Sequence, residues 1–133
     1  MYENLERIQQ LIDESGRKYD MEKIQRAYLY AKQLHEGQFR ASGEPYIMHP
    51  VSVAEIAASL GLDTDSICAA LLHDTVEDCG TLVSLDDISD KFGPEVANLV
   101  DGLTKLVHIP FNDKAEEQME NLRKMFLAMN KDI

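Results

Sequence analysis

The run SICAALLHDTVEDCG, residues 66–80, sets one imidazole and three carboxylates directly behind an apolar stretch. The polar members are His73, Asp74, Glu77 and Asp78. If the helix continues through them, His73 shares a face with Glu77 and Asp74 shares one with Asp78. Those faces lie about 100° apart, so the four heads could line one pocket. Carboxylates gathered after an apolar run are costly to desolvate without a cation nearby. The stretch therefore points to a metal. His49 supplies a second imidazole, and Pro50 behind it biases its backbone toward an extended conformation just ahead of a helix. Two imidazoles and a carboxylate are a usual donor set for a transition metal. The competing use of the same residues is a His73–Asp74 pair that caps and hydrogen-bonds within the core.

Glu77 and Asp78 fall one turn beyond the proposed ligands. A carboxylate beside a metal can take a proton from water or orient it, and the ion lowers the pKa of that water toward neutrality. The plainer reading is a solvated helix end, although acids at a helix C-terminus oppose its dipole. In the preceding loop, QFRASGEPYIMHP, Arg40 offers a planar fork for phosphate or a stacking face for a base. Ser42 adds a hydroxyl and Gly43 allows close backbone approach; such a loop can equally be only a turn. His35 reads as a hydrogen-bonded structural residue, and His108 receives no role. The Met-rich segment with Met119, Met125 and Met129 reads as core or interface. The pairs Asp86–Asp87 and Glu116–Glu117 read as solvated faces.

Helical spacing dominates the elements that must position these groups, and alternating strand patterns are nearly absent. Leu5, Ile8, Leu11 and Ile12 mark a first helix that closes near Ser15 and Gly16. Asp20 caps a second, carrying Ile24, Ala27, Tyr28, Ala31 and Leu34, with Gly37 as its stop. A third is expected from Val51 to Leu60, and Asp63 or Thr64 caps the fourth. Ser84 and Asp87 form a capping box for a short helix ending at Gly93, and Pro94 suits the first turn of the next. A last helix opens at Asn112 or Asp113. Six or seven helices with short connections describe an all-α domain.

The 133 residues suit one domain able to bury roughly two-thirds of its unfolded surface. No run reaches the ~20 apolar residues of a membrane span, and the N-terminus lacks signal-peptide character. Two cysteines, one inside an apolar helix face, argue against a disulfide framework and fit a reducing cytoplasm. Thirteen Lys plus Arg against 24 Asp plus Glu give a formal charge of −11, which repels nucleic acid and anionic membrane. An anionic substrate would then need a metal or a few placed cations.

Three separated strings, HEGQFRASGEPYIMHPVSVAEIAASLGLD, AALLHDTVEDCG and FGPEVANLVDGLTKL, resemble the hydrolase domain of the RelA/SpoT alarmone enzymes. These belong to the HD superfamily of metal-dependent phosphohydrolases. The resemblance runs from about Tyr19 to Ile133. It implies a helical HD domain that binds Mn²⁺ and removes the 3′-pyrophosphate from ppGpp or pppGpp in the stringent response. His49, His73 and Asp74 match its metal ligands, and Glu77 and Asp78 match the acidic pair that activates or orients water. Arg40 and Ser42 match the loop that contacts the guanine nucleotide. Retention of the pairs His73–Asp74 and Glu77–Asp78 resembles the hydrolase-competent, usually bifunctional branch, with GTP pyrophosphokinase activity in the same parent chain.

Two departures carry expectations. Ala41 stands where the family loop usually has Lys. The family's fourth metal ligand, an Asp, falls past Ile133, and the synthetase and regulatory regions are absent. The chain is thus expected to be an N-terminal fragment, with weakened metal binding, impaired hydrolysis and a tendency to self-associate. The other readings are an HD phosphohydrolase acting on another nucleotide and a regulatory or interaction module without chemistry.

Overall fold

A computed structural model describes residues 5–39, 43–75 and 83–107, with side chains described as far as residue 103. Six helices lie among them: α1 (Glu6–Ser15), α2 (Met21–Leu34), α3 (Met48–Ser59), α4 (Thr64–Leu72), α5 (Leu85–Phe92) and α6 (Pro94–Val107). The only β-pairing among the described residues is an isolated bridge between Phe39 and Pro45, so the domain is all-α as expected. The helix expected from Asn112 or Asp113 lies outside the described residues.

Helix α4 is the centre of the packing. Every residue from Ser66 to Leu72 is buried, so beyond its first two residues this helix has no solvent face and must be enclosed on all sides. Helices α2, α3 and α6 pack around it, α1 lies on α3, and α5 lies on α6. Ile24, Ala27 and Ala31 of α2, Ala54 and Ala57 of α3, and Val100 and Leu103 of α6 complete a continuous apolar core. Cys68 of α4 is a free thiol, fully buried there. Its burial pushes the pKa up to about 12.

Local chemistry fixes where the helices start. Asp63 is extended and its carboxylate accepts from Ser66 N at 2.9 Å, which makes it the cap of α4. Thr64 acts elsewhere, its hydroxyl accepting from Asp20 N at 3.0 Å beside a 2.7 Å Lys23–Asp65 ion pair. The N-termini of α2 and α4 are thereby tied together. Asp20 caps α2 through Lys23 N, and Ser84 with Asp87 forms the expected capping box of α5. Gly16 and Gly61 take φ of 69° and 78° at the ends of α1 and α3, a conformation in which a Cβ is strained.

Three expectations need correction. Helix α3 begins at Met48, not Val51, so His49 is helical rather than extended. A turn bond from His49 N to Tyr46 O at 3.0 Å already coils the backbone there. Pro50 is tolerated because the amides of a first helical turn lack intrahelical partners. Helix α2 ends at Leu34, and Gly37 lies in the turn beyond it with φ of 83°. Helix α4 closes at Leu72, and His73 and Asp74 form a turn. The HD pair therefore sits on a helix terminus rather than along a continuing face. Among the described residues, no helix is long and apolar enough to cross a membrane.

Candidate metal centre

The termination of α4 prepares the site. The last carbonyls of a helix have no intrahelical donors, and two side chains fold back to satisfy them here. Thr75 Oγ1 donates to Leu72 O at 2.7 Å, and His73 Nδ1 lies 2.6 Å from Ala70 O. A carbonyl oxygen only accepts, so Nδ1 carries the proton and Nε2 presents its lone pair. This is the tautomer that a metal-binding imidazole requires, with its other nitrogen held by a backbone carbonyl.

Packing of α3 against α4 brings the first turn of α3 to the same place. His49 and His73 have ring centroids 5.5 Å apart. Asp74 lies between them, with Oδ2 3.4 Å from His49 Nε2 and Oδ1 3.3 Å from His73 Nε2. One ligand atom from each of the three residues lies within 4.8 Å of the others. His73 and Asp74 are only 3% and 6% exposed, whereas the His49 side chain is one-third exposed, so the cluster is reached from that side.

The two His–Asp separations are compatible with coordination of a common ion. Charge-assisted N–H···O bonds settle near about 2.8 Å, shorter than either His–Asp distance. Donors on bonds of about 2.1 Å, subtending ~90–109°, stand about 3.0–3.4 Å apart. Two imidazoles and a carboxylate match a divalent first-row ion in donor chemistry as well. The group could hold a metal ion, and the competing structural use of His73 is present beside it in the bond of Nδ1 to Ala70 O.

The structure brings His49, His73 and Asp74 together. Glu77, Asp78, Arg40, Ser42 and Ala41 lie outside the described residues, as do His108 and the Met-rich segment. His35 is buried, with Nδ1 2.9 Å from Gln38 Oε1, in keeping with a structural role. Sequence reasoning missed Tyr46, whose hydroxyl donates to Asp74 Oδ2 at 3.0 Å. Its position three residues before His49 was the available signal, and it becomes legible only once the turn into α3 is known. A cavity of about 470 Å³ is lined by Tyr46 and His35 together with Leu29, Lys32, Phe39 and Ile47.

Comparison with known proteins supplies the family. Residues 27–133 match the HD domain. The guanosine-3′,5′-bis(diphosphate) 3′-pyrophosphohydrolase of Vibrio cholerae is 51% identical over 113 residues, covering 85% of this chain and 16% of that protein. The bifunctional (p)ppGpp synthase/hydrolase SpoT of Escherichia coli is 48% identical over 128 residues, 96% of this chain and 18% of its own length. The GTP pyrophosphokinase rsh of Brucella melitensis is 44% identical over 132 residues, 99% of this chain and 17% of its own. The chain thus spans less than a fifth of each of these relatives. With the matched domain covering well over half of its residues and a His/Asp cluster at the expected place, the chain belongs to the HD-domain family.

Proposed function

We propose that this domain is a Mn²⁺-dependent pyrophosphohydrolase that cleaves ppGpp and pppGpp with water, giving pyrophosphate and GDP or GTP. The observation that carries it is the convergence of His49, His73 and Asp74 on one point at the buried end of α4. The names of the Vibrio cholerae and Escherichia coli relatives support the substrate. The bifunctional name of the latter supports a synthetase domain as the partner in the parent chain.

A divalent ion held by these residues supplies positive charge against phosphate oxygens and acidity to water. His73 contributes Nε2 in a tautomer locked by Ala70, and Asp74 contributes the negative charge that favours a cation over a neutral ligand. Glu77 and Asp78, which follow Asp74 within four residues, accept the proton of the attacking water and orient it. Arg40 holds the guanine nucleotide through its planar fork, and Ser42 donates its hydroxyl to it.

The test pairs binding with turnover. With Mn²⁺ present, ppGpp should raise the melting temperature more than dGTP or a cyclic nucleotide does. Pyrophosphate release from ppGpp should exceed that of a His73→Ala variant. A larger shift with dGTP would move the assignment to another nucleotide, a reading that Ala41 favours by removing one cation from the loop. Absence of both Mn²⁺ binding and nucleotide shifts would leave a regulatory module.

A further inference from the structure

We propose that Tyr46 is a positioning residue of the metal centre, its hydroxyl fixing the Asp74 carboxylate between the two imidazoles. The inference rests on the metal-binding reading above and concerns a residue outside the His49–His73–Asp74 set. The terminal torsion of an aspartate is soft and roughly two-fold, so an unanchored carboxylate presents a range of orientations. Here the two oxygens are distinguished. Oδ2 accepts from Tyr46 Oη at 3.0 Å and faces His49, whereas Oδ1 faces His73. A hydroxyl donated to a carboxylate is a charge-assisted bond, and it defines the plane of the group.

Tyr46 is itself held from three directions. Its ring stacks on His35 with centroids 4.7 Å apart and planes 32° from parallel. The ring of His49 meets it edge-on at 5.9 Å. Its backbone N–H donates to Gln38 O at 2.9 Å, and the side-chain oxygen of the same Gln38 holds His35 Nδ1 at 2.9 Å. One residue of the preceding turn therefore fixes both the tyrosine and the ring behind it. Held in this way, the ring carries its hydroxyl to Asp74 Oδ2. Groups that orient metal ligands in this way are typically worth about 10–100-fold in metal affinity.

The experiment is a Mn²⁺ titration by calorimetry of the 133-residue chain, Tyr46→Phe and Tyr19→Phe, with metal-free melting temperatures recorded beside it. Tyr19 donates to Leu62 O at 2.7 Å, between the start of α2 and the turn before α4. It controls for loss of a buried-end hydrogen bond without contact to the site. The expected result is a dissociation constant raised about tenfold or more in Tyr46→Phe with its melting temperature near wild type. Tyr19→Phe should melt lower with unchanged Mn²⁺ affinity. Equal affinity of Tyr46→Phe and wild type would overturn the inference while leaving the metal centre intact. Loss of cooperative melting in Tyr46→Phe would overturn it as well, by making the hydroxyl a support of the fold. A wild-type chain that takes up no Mn²⁺ would instead sink the proposed function, and this inference with it.

Discussion

His73 Nδ1 and the carbonyl oxygen of Ala70, 2.6 Å apart, join the end of the buried helix to the metal centre in a single hydrogen bond. The bond satisfies a helix-terminal carbonyl and also turns Nε2 toward Asp74 and His49. The two roles separate on substitution. On the proposed reading His73→Ala removes a ligand rather than an outer contact, and it should lower Mn²⁺ affinity by about 100-fold or more. Wild type at ~100 times its dissociation constant should gain about 2.7 kcal/mol from Mn²⁺, reversed by a chelator. Melting curves with and without Mn²⁺ check both, and an undiminished Mn²⁺ shift in His73→Ala would exclude the residue as a ligand.

Asp63 caps α4 at the end opposite the HD pair. Asp63→Ala should cost about 1 kcal/mol, a fall of roughly 3–5 °C in melting temperature for a domain of this size. Because the lost bond is a full helix length from His73, Mn²⁺ affinity should stay within about twofold. Denaturation and calorimetry on one variant measure the two quantities together.

Cys68 offers a pH test. Burial pushes its thiol up to about 12 from an ordinary 9.0. Above pH 9 the unfolded chain releases the proton while the folded chain keeps it. The folded state then binds more protons, and stability falls as pH rises from about 9 toward 12. Chemical denaturation of wild type and Cys68→Ala should show the gap between them shifting in favour of the variant across that window. Peptide-resolved alkylation should leave Cys68 unmodified in the native protein and label it in urea.

The loop cation has its own prediction. Ala41→Lys restores a positive charge next to Arg40. An ion pair at a protein surface contributes up to about 1 kcal/mol, so KM for ppGpp should fall roughly threefold to fivefold, with less effect at high salt. Steady-state rates at two ionic strengths read this out. An unchanged KM would mean that position 41 does not face the nucleotide.

The helix caps were legible because they are local. Asp20, Ser84 and Asp87 act within three residues, so side-chain type and spacing suffice to place them. The convergence of His49 with His73 and Asp74 could be anticipated from donor chemistry, although the sequence says nothing of the 5.5 Å between the rings. The backbone of His49 was misread because the bias imposed by Pro50 is weak beside the turn that begins at Tyr46. The Tyr46–Asp74 bond spans 28 residues and depends on how two helices meet. No local pattern encodes it. Likewise, the end of α4 at Leu72 reflects the competition of the His73 and Thr75 side chains for its last carbonyls.

The enclosure of α4 has an evolutionary and engineering corollary. A segment with no wet side offers no neutral positions, so a larger residue at Ala69 or a polar one at Leu71 displaces neighbours instead of being absorbed by solvent. The donor pair hangs from the tip of that rod, and any such displacement is delivered to it as a change of aim. New substrate preferences are therefore to be sought in the loops of this domain, whereas tampering with its axle would detune the chemistry before it unfolded the protein.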